Sequence, residues 1–501
     1  MTQRVVVAMA VGAVALTAIA IAPAVPAPAA GRCSGIANDN RRQSCLDSLM
    51  PASYSIHAMG MPVYGGGSKT FRGTVRSVAR LRGPSGTPDV SYTLTAAFQR
   101  ATVAGRRQRV FTVNGTSPGP TIVARQGDLV RVVLRNRNID AGTTIHWHGV
   151  DVPNGEDGVA GVTQNAVLPG KRFVYHFRAR QAGTFWYHSH QYSQRQVTRG
   201  LVGAVVVQPR GASTPLPSAR DVTALVHSYG GRSTINGRTG QTAVSGDVGA
   251  RRVRLLNTNQ TAMRVASSVP FKVVAIDGVD VHGPTTLSPN TSVEVPPAGR
   301  VDVVLDPAAT SARVGVLGGP TLVIGGGAAP PLSASKVFDP LHYGTPDPAV
   351  KTPKPDRSFD YVIGQKRGYL DGRYGTWFSI DRKLIPHVPM FMVKPGETVR
   401  VRFKNNTFVD HPMHLHGQHM LVLSRNGRPS TGSPWWVDTL AVHPGESFVV
   451  QVTTNNPGDW MFHCHILAHA AQGLMTHLSY LNVRNPFRIG RVSRQLSNHP
   501  E

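Results

Sequence analysis

Short runs of alternating or β-branched apolar residues, broken at close intervals by turn residues, cover most of this chain. "DVSYTLTAAF", "VFTVNGTSPGPTIVARQGDLVRVVLRN" and "GLVGAVVVQP" fall between Asp89 and Pro209. Period-two alternation bounded by NG, PGP and QGD predicts strands joined by tight turns. The theme returns near the far end in "FMVKPGETVRVRFKN" and "PGESFVVQVTT". In both regions a glycine, an acid and one further residue precede "VRV", with Asn136 or Asn405 four positions on. This is the mark of a repeated β-sandwich unit. The middle region, with "RRVRLLNTNQ", "FKVVAIDGVDV" and "VEVPPAGRVDVVLD", is equally strand-like but almost free of histidine. An all-β protein is expected, with sandwiches at 88–210, 211–327 and 358–490 and a Gly/Pro-rich linker at 328–357.

The beginning of the chain breaks the pattern. Arg4 precedes the uncharged run "VVVAMAVGAVALTAIAIA" and then "PAVPAPAAG". A basic start, an apolar stretch and small residues of the A-x-A type read as a secretory signal over 1–30. The alternative is a retained anchor, since the run almost reaches membrane-spanning length. Residues 31–87 form an extension. "VYGGGS" reads as flexible, and Cys33 and Cys45 are placed to pin the extension onto the first domain. An extracytoplasmic protein, secreted or in the cell envelope, is expected.

Composition supports this picture. The 501 residues include 52 Gly and 38 Pro, which suits strands and turns over long helices. The formal net charge is +26, and residues 1–30 contain only one of those cations. Such charge favours anionic partners and permits association with an anionic cell surface. The basic residues are spread along the chain and form no nucleic-acid-binding signature, so no specific nucleic acid is expected. A monomer is expected.

The chemistry lies in the histidines. Chance placement of 20 histidines in 501 residues gives about one H-x-H pair. There are four: His146/His148, His188/His190, His414/His416 and His463/His465, all in the two outer regions. Residues i and i+2 of a strand share a face, so each pair presents two imidazoles to one point. Eight imidazoles exceed what one ion needs; copper, zinc, iron and nickel all accept this donor. In "HCH" the same alternation sends Cys464 to the opposite face. With His411 and His469 it makes a two-nitrogen, one-thiolate set of the blue-copper kind. Cys464 would hold one metal while its sequence neighbours bind a cluster.

"HWHG", "WYHSH", "HPMHLHG" and "HCHILAH" resemble, in order and spacing, the four copper motifs of the multicopper oxidases. The resemblance covers about residues 88–485. It implies three cupredoxin-like Greek-key β-sandwich domains and four copper ions per chain. His411, Cys464 and His469 match the type 1 ligands, and His146 and His414 the type 2 ligands. His148, His188, His190, His416, His463 and His465 match the ligands of the type 3 pair. The implied reaction takes single electrons from a small-molecule or metal-ion donor and reduces O2 to water in four-electron cycles. Cys464, His463 and His465 form the electron path, and Asp157 resembles an acid that helps deliver protons.

Some positions depart from the family pattern. Leu474 stands where an axial thioether often lies, with Met475 beside it. Ala470 replaces a second acid, and Gln418 replaces a further histidine. His419 reads as a surface or pocket residue. Met59, Met61, Met413 and Met420 form no dense insert and read as packing. The leading expectation is a laccase-like oxidase of phenols or aromatic amines. "RNGRPSTGSPWWVDTL", with Asp438 as its one acid, favours organic or anionic donors. The alternatives are a metallo-oxidase of Cu(I), Fe(II) or Mn(II) in metal resistance, and a copper-storage protein without turnover.

Overall fold

A computed structural model describes residues 63–64, 74–211, 221–326, 328–371, 373–493 and 495–501. The leader, Cys33, Cys45, Met59 and Met61 lie outside the described residues. Among the described residues, strands pair into three two-sheet sandwiches. The two α-helices among the described residues, Ser193–Thr198 and Leu467–Ala471, are each under two turns. No described helix is long and apolar enough to cross a membrane.

Each sandwich encloses its own apolar core, filled from both sheets. Leu94, Phe98, Trp147, Phe177 and Val205 lie in the first, Val253, Phe271 and Leu322 in the second, and Phe359, Phe403, Trp460 and Phe462 in the third. The internal repeat is expressed three times. Strand Leu129–Asn136 lies parallel to Val90–Val103 and antiparallel to Arg172–Arg178. Arg252–Asn257 sits likewise between Asp221–Tyr229 and Arg300–Leu305. Thr398–Asn405 sits between Arg357–Leu370 and Ser447–Thr453.

In all three, the final asparagine is buried and its amide donates to two carbonyls. The acceptors are Ile139 and Val167 for Asn136, Thr261 and Val295 for Asn257, and Val409 and Val442 for Asn405. A buried carbonyl left unpaired costs about 1–3 kcal/mol, which explains why the same side chain ends the same strand each time.

The N-terminal extension departs from expectation. Val63–Tyr64 pairs in parallel with Met390–Phe391, so this part of "VYGGGS" is a strand. Arg76–Ser77 pairs with Val483–Arg484, and Val78 is buried in the third core. The chain then crosses to the first sandwich, where the Arg82 guanidinium meets the buried Glu156 carboxylate at 2.9 Å. The described part of the extension is therefore anchored first on the third sandwich. The reason is an open sheet edge at Met390–Val393, which takes an added strand. Part of the linker is also structured: Lys336–Val337 pairs with Thr291–Ser292, and Phe338 and Tyr343 pack on the second core.

An ion-pair bridge joins the second and third sandwiches. His443 contacts Glu294 at 3.2 Å through Nε2 and Asp410 at 3.0 Å through Nδ1. Glu294 above all, with Asp410 and against the effect of burial, lifts His443 to about 9. The folded value lies above the unfolded one, so this contribution is complete below the ordinary imidazole range and disappears as pH rises through about 9. Thermal unfolding midpoints measured across that window should fall as pH rises. The fall should be smaller in His443→Gln.

Candidate metal centres

Strand register assembles the imidazoles. Strand His146–His148 pairs antiparallel with Gly183–His188, placing His146 opposite His188. Strand His411–Leu415 pairs with Asp459–Cys464, placing His414 opposite His463. His190, His416 and His465 follow one or two residues past the ends of these strands. The first and third sandwiches then meet through stacked rings: His146 on His416 at 3.9 Å and His148 on His414 at 3.7 Å between centroids.

All eight imidazoles are buried in one cluster. Ligand atoms lie within 4.8 Å of one another in three all-histidine groups: His146/His148/His188, His146/His414/His416 and His190/His416/His463. His465 belongs to none of these groups, but its ring lies 4.9 Å from His148 and 5.3 Å from His188.

The glycine after each leading pair has a steric cause. Gly149 has φ +82°, and a Cβ there would strike the Arg300 guanidinium and Asp438. Gly417 has φ +62°, and a Cβ would strike the Trp460 ring.

Hydrogen bonds fix which nitrogen of each ring is free. A carbonyl only accepts, so the Nδ1–H groups of His146, His188, His190, His414 and His463 donate to Asp157, Ser189, Pro500, Asp438 and Cys464. His416 Nδ1 meets Asp157 Oδ2 at 3.0 Å. His148 is turned the other way, with Nε2 on Asp438 Oδ1 at 3.1 Å. What remains is a set of inward ring nitrogens. His146 Nε2, His148 Nδ1, His188 Nε2, His190 Nε2, His414 Nε2 and both nitrogens of His465 are buried without a hydrogen-bond partner. His416 Nε2 and His463 Nε2 face each other at 3.0 Å.

Burial, with neighbouring imidazoles, pushes His148, His188, His190, His416, His463 and His465 well below the ordinary imidazole range. Neutral rings with free lone pairs are what a soft or borderline metal requires. The donor set fits copper.

The second centre lies on the other side of the same strand. Cys464 Sγ is 3.7 Å from His411 Nδ1 and 3.8 Å from His469 Nδ1, and these three atoms form a further group within 4.8 Å. Burial pushes the thiol far up, and it pushes His411 down to about 3 and His469 to about 4. Phe378 lies against both rings, and Thr407 Oγ1 holds His411 Nε2 at 2.8 Å. Leu474 is buried with Cys464 in the third core. Met475 lies opposite His463 in the strand register and packs on a cluster with Met390 and Met461. Met413 and Met420 are core side chains.

Three residues at the cluster escaped the sequence reading. Asp438 read as a docking-surface acid; it is buried against His148 and His414. Burial would raise its carboxyl, but Arg300, with both histidines, holds it well below the usual carboxylate range. Arg300 grips both Asp438 oxygens from the second sandwich, with Nη1 on Oδ1 at 2.7 Å. No motif marks it in "PPAGRVDVV". The third residue is Glu501, whose side chain meets His463 at 3.1 Å. His419 is nearly buried, 3.5 Å from Asp151; burial would lower it, but Asp151 and Asp438 lift it to about 9.

Asp438→Asn keeps one acceptor but removes the charge that Arg300 and His148 share. Metal affinity at the eight-imidazole cluster should fall roughly 10- to 100-fold, with the Cys464 site unchanged, as read by metal content against a competing chelator.

Two family models, both described as multicopper oxidase, match residues 95–212 and 353–482. Laccase-2 of Fomitopsis schrenkii is 27% identical over 453 residues, covering 73% of this chain and 85% of that protein. Copper resistance protein A of Pseudomonas syringae pv. tomato is 39% identical over 132 residues, covering 25% of this chain and 21% of that one. A crystal structure of a multi-copper oxidase from Pseudomonas thermotolerans superposes with TM-score 0.62 at 27% identity, covering 78% of this chain and 99% of that one. The paired motifs, the sandwiches and these relatives together show that the chain belongs to the multicopper oxidase family, copper-binding oxidoreductases that use O2.

Proposed function

We propose that this chain is an exported, laccase-like oxidase with four copper ions, acting on phenols or aromatic amines. One observation carries the reading: Cys464 faces His411 and His469, while His463 and His465 on either side of it stand in the other cluster. The two centres are thus joined by single residues of covalent chain. His411, Cys464 and His469 would hold type 1 copper, and His146 and His414 type 2. His148, His188, His190, His416, His463 and His465 would hold the type 3 pair. When bound, copper supplies one-electron chemistry at the first site and reduction of O2 to water at the second.

The protein's own groups do the rest. The Phe378 ring and the surrounding core exclude water from the thiolate. Asp157, bonded to His416 and 3.1 Å from His146, is placed to hold a proton beside the cluster. Leu474, buried with Cys464 in the third core, would offer copper no thioether, which would raise its potential. Domain limits near 88–210, 211–327 and 358–490 belong to the same reading.

Phe408 and Val409, exposed three and two residues before His411, present an apolar surface that suits aromatic donors. A metal-ion donor is the second reading. It is favoured by Asp410, half exposed beside His411, and by Glu294 across His443.

Oxygen uptake by the copper-loaded protein, with a simple phenol and with Cu(I) in parallel, separates the two. Uptake with phenol is expected, falling to background in Cys464→Ser. A strong preference for Cu(I) would favour the metallo-oxidase, and no uptake with either would refute the phenol and Cu(I) readings. Leu474→Met should lower the potential of the thiolate centre in a redox titration.

A further inference from the structure

Two carboxylates, Asp157 and Asp438, stand behind cluster imidazoles, on His416 and on His148 with His414. A third does the same from a distant part of the chain. Glu501 Oε1 lies 3.1 Å from His463 Nδ1, whose N–H is on the Cys464 carbonyl, and 3.9 Å from His190 Nε2; it accepts no hydrogen bond itself. Its other oxygen accepts from Ser193 Oγ at 2.7 Å. The side chain is only 4% exposed.

The segment that carries it is held at several points. His190 Nδ1 donates to Pro500 O at 2.9 Å, and Gln191 Nε2 to Ser497 O at 2.8 Å. His499 N donates to Gln191 Oε1 at 2.9 Å, and its ring stacks on Tyr192 at 4.6 Å. Ala166 N donates to Asn498 Oδ1 at 2.9 Å. These partners all lie in the first sandwich, whereas His463 belongs to the third. The segment therefore spans the seam in which the cluster sits.

We propose that Glu501 is a positioning residue for the eight-imidazole cluster, placing a buried carboxyl group beside the His463 ring. The proposal rests on the copper reading above. A buried carboxylate with an unpartnered oxygen is costly unless positive charge stands nearby. A carboxylate behind a ligating imidazole orients the ring and strengthens it as a donor. His190, His416 and His463 form one candidate metal group, and carboxylates then back two of its three rings. The Pro500 carbonyl on His190 Nδ1 fixes the third.

The test is copper retention by the full chain against a competing chelator, with the thiolate-to-copper absorption of Cys464 as internal reference. Glu501→Gln keeps the shape and an acceptor for Ser193 but removes the charge. It should lose cluster copper roughly 10- to 100-fold more readily, with the thiolate absorption unchanged. Glu501→Asp should recover part of the loss. Wild-type retention in Glu501→Gln, or equal loss from both sites, would overturn the role of Glu501 alone. A wild-type chain that holds copper at neither site would overturn the copper reading and this proposal with it.

Discussion

The alternation of one β-strand, Asp459–Cys464, sets the geometry on which both metal centres depend. Successive side chains of a strand point to opposite faces. His463 and His465 can therefore join the imidazoles of the first sandwich only if Cys464 turns toward the core of its own sandwich. There His411, on the neighbouring strand, and His469, on the short helix that follows, flank the sulfur. A one-residue slip in register would exchange the faces and destroy both sites at once. The fully buried pairing of Met413 with Cys464 and of His414 with His463 holds that register.

Burial then decides the chemistry. In this dry seam burial pushes His148, His188, His190, His414, His416, His463 and His465 below the ordinary imidazole range, because charging a ring without water is costly. Except in His465, the outer nitrogen of each cluster ring is tied to a carbonyl or carboxylate, so the other nitrogen points inward. Asp438 stays ionised in the same seam because Arg300 grips both of its oxygens. The second sandwich thus contributes to the cluster although it brings no ligand. Its Asp302 also ties Arg252, Arg254 and Thr184 together where the first and second sandwiches meet.

The gathering of the candidate ligands was legible because strand periodicity converts sequence spacing directly into shared faces. Four H-x-H pairs and one intervening cysteine carry their geometry in their spelling. The same holds for the repeated Asn136 and Asn405, to which the structure adds Asn257. Arg300, Asp438 and Glu501 were not legible in this way, since each acts across a boundary between sandwiches. A single buried arginine in a strand looks like any other basic residue until its partner, 138 positions away, is known. The extension was misread for a related reason: local composition shows turns and glycines, but not which distant sheet edge lies open to Val63–Tyr64.

The central claim is that one strand holds two copper centres on its two faces. The most direct test is an anomalous-difference map, recorded at the copper edge, from crystals of the copper-loaded protein. The account predicts density between His411, Cys464 and His469, and separate density enclosed by the eight paired histidines. Copper at only one of these places, or density at the thiol site with none among the eight imidazoles, would contradict it.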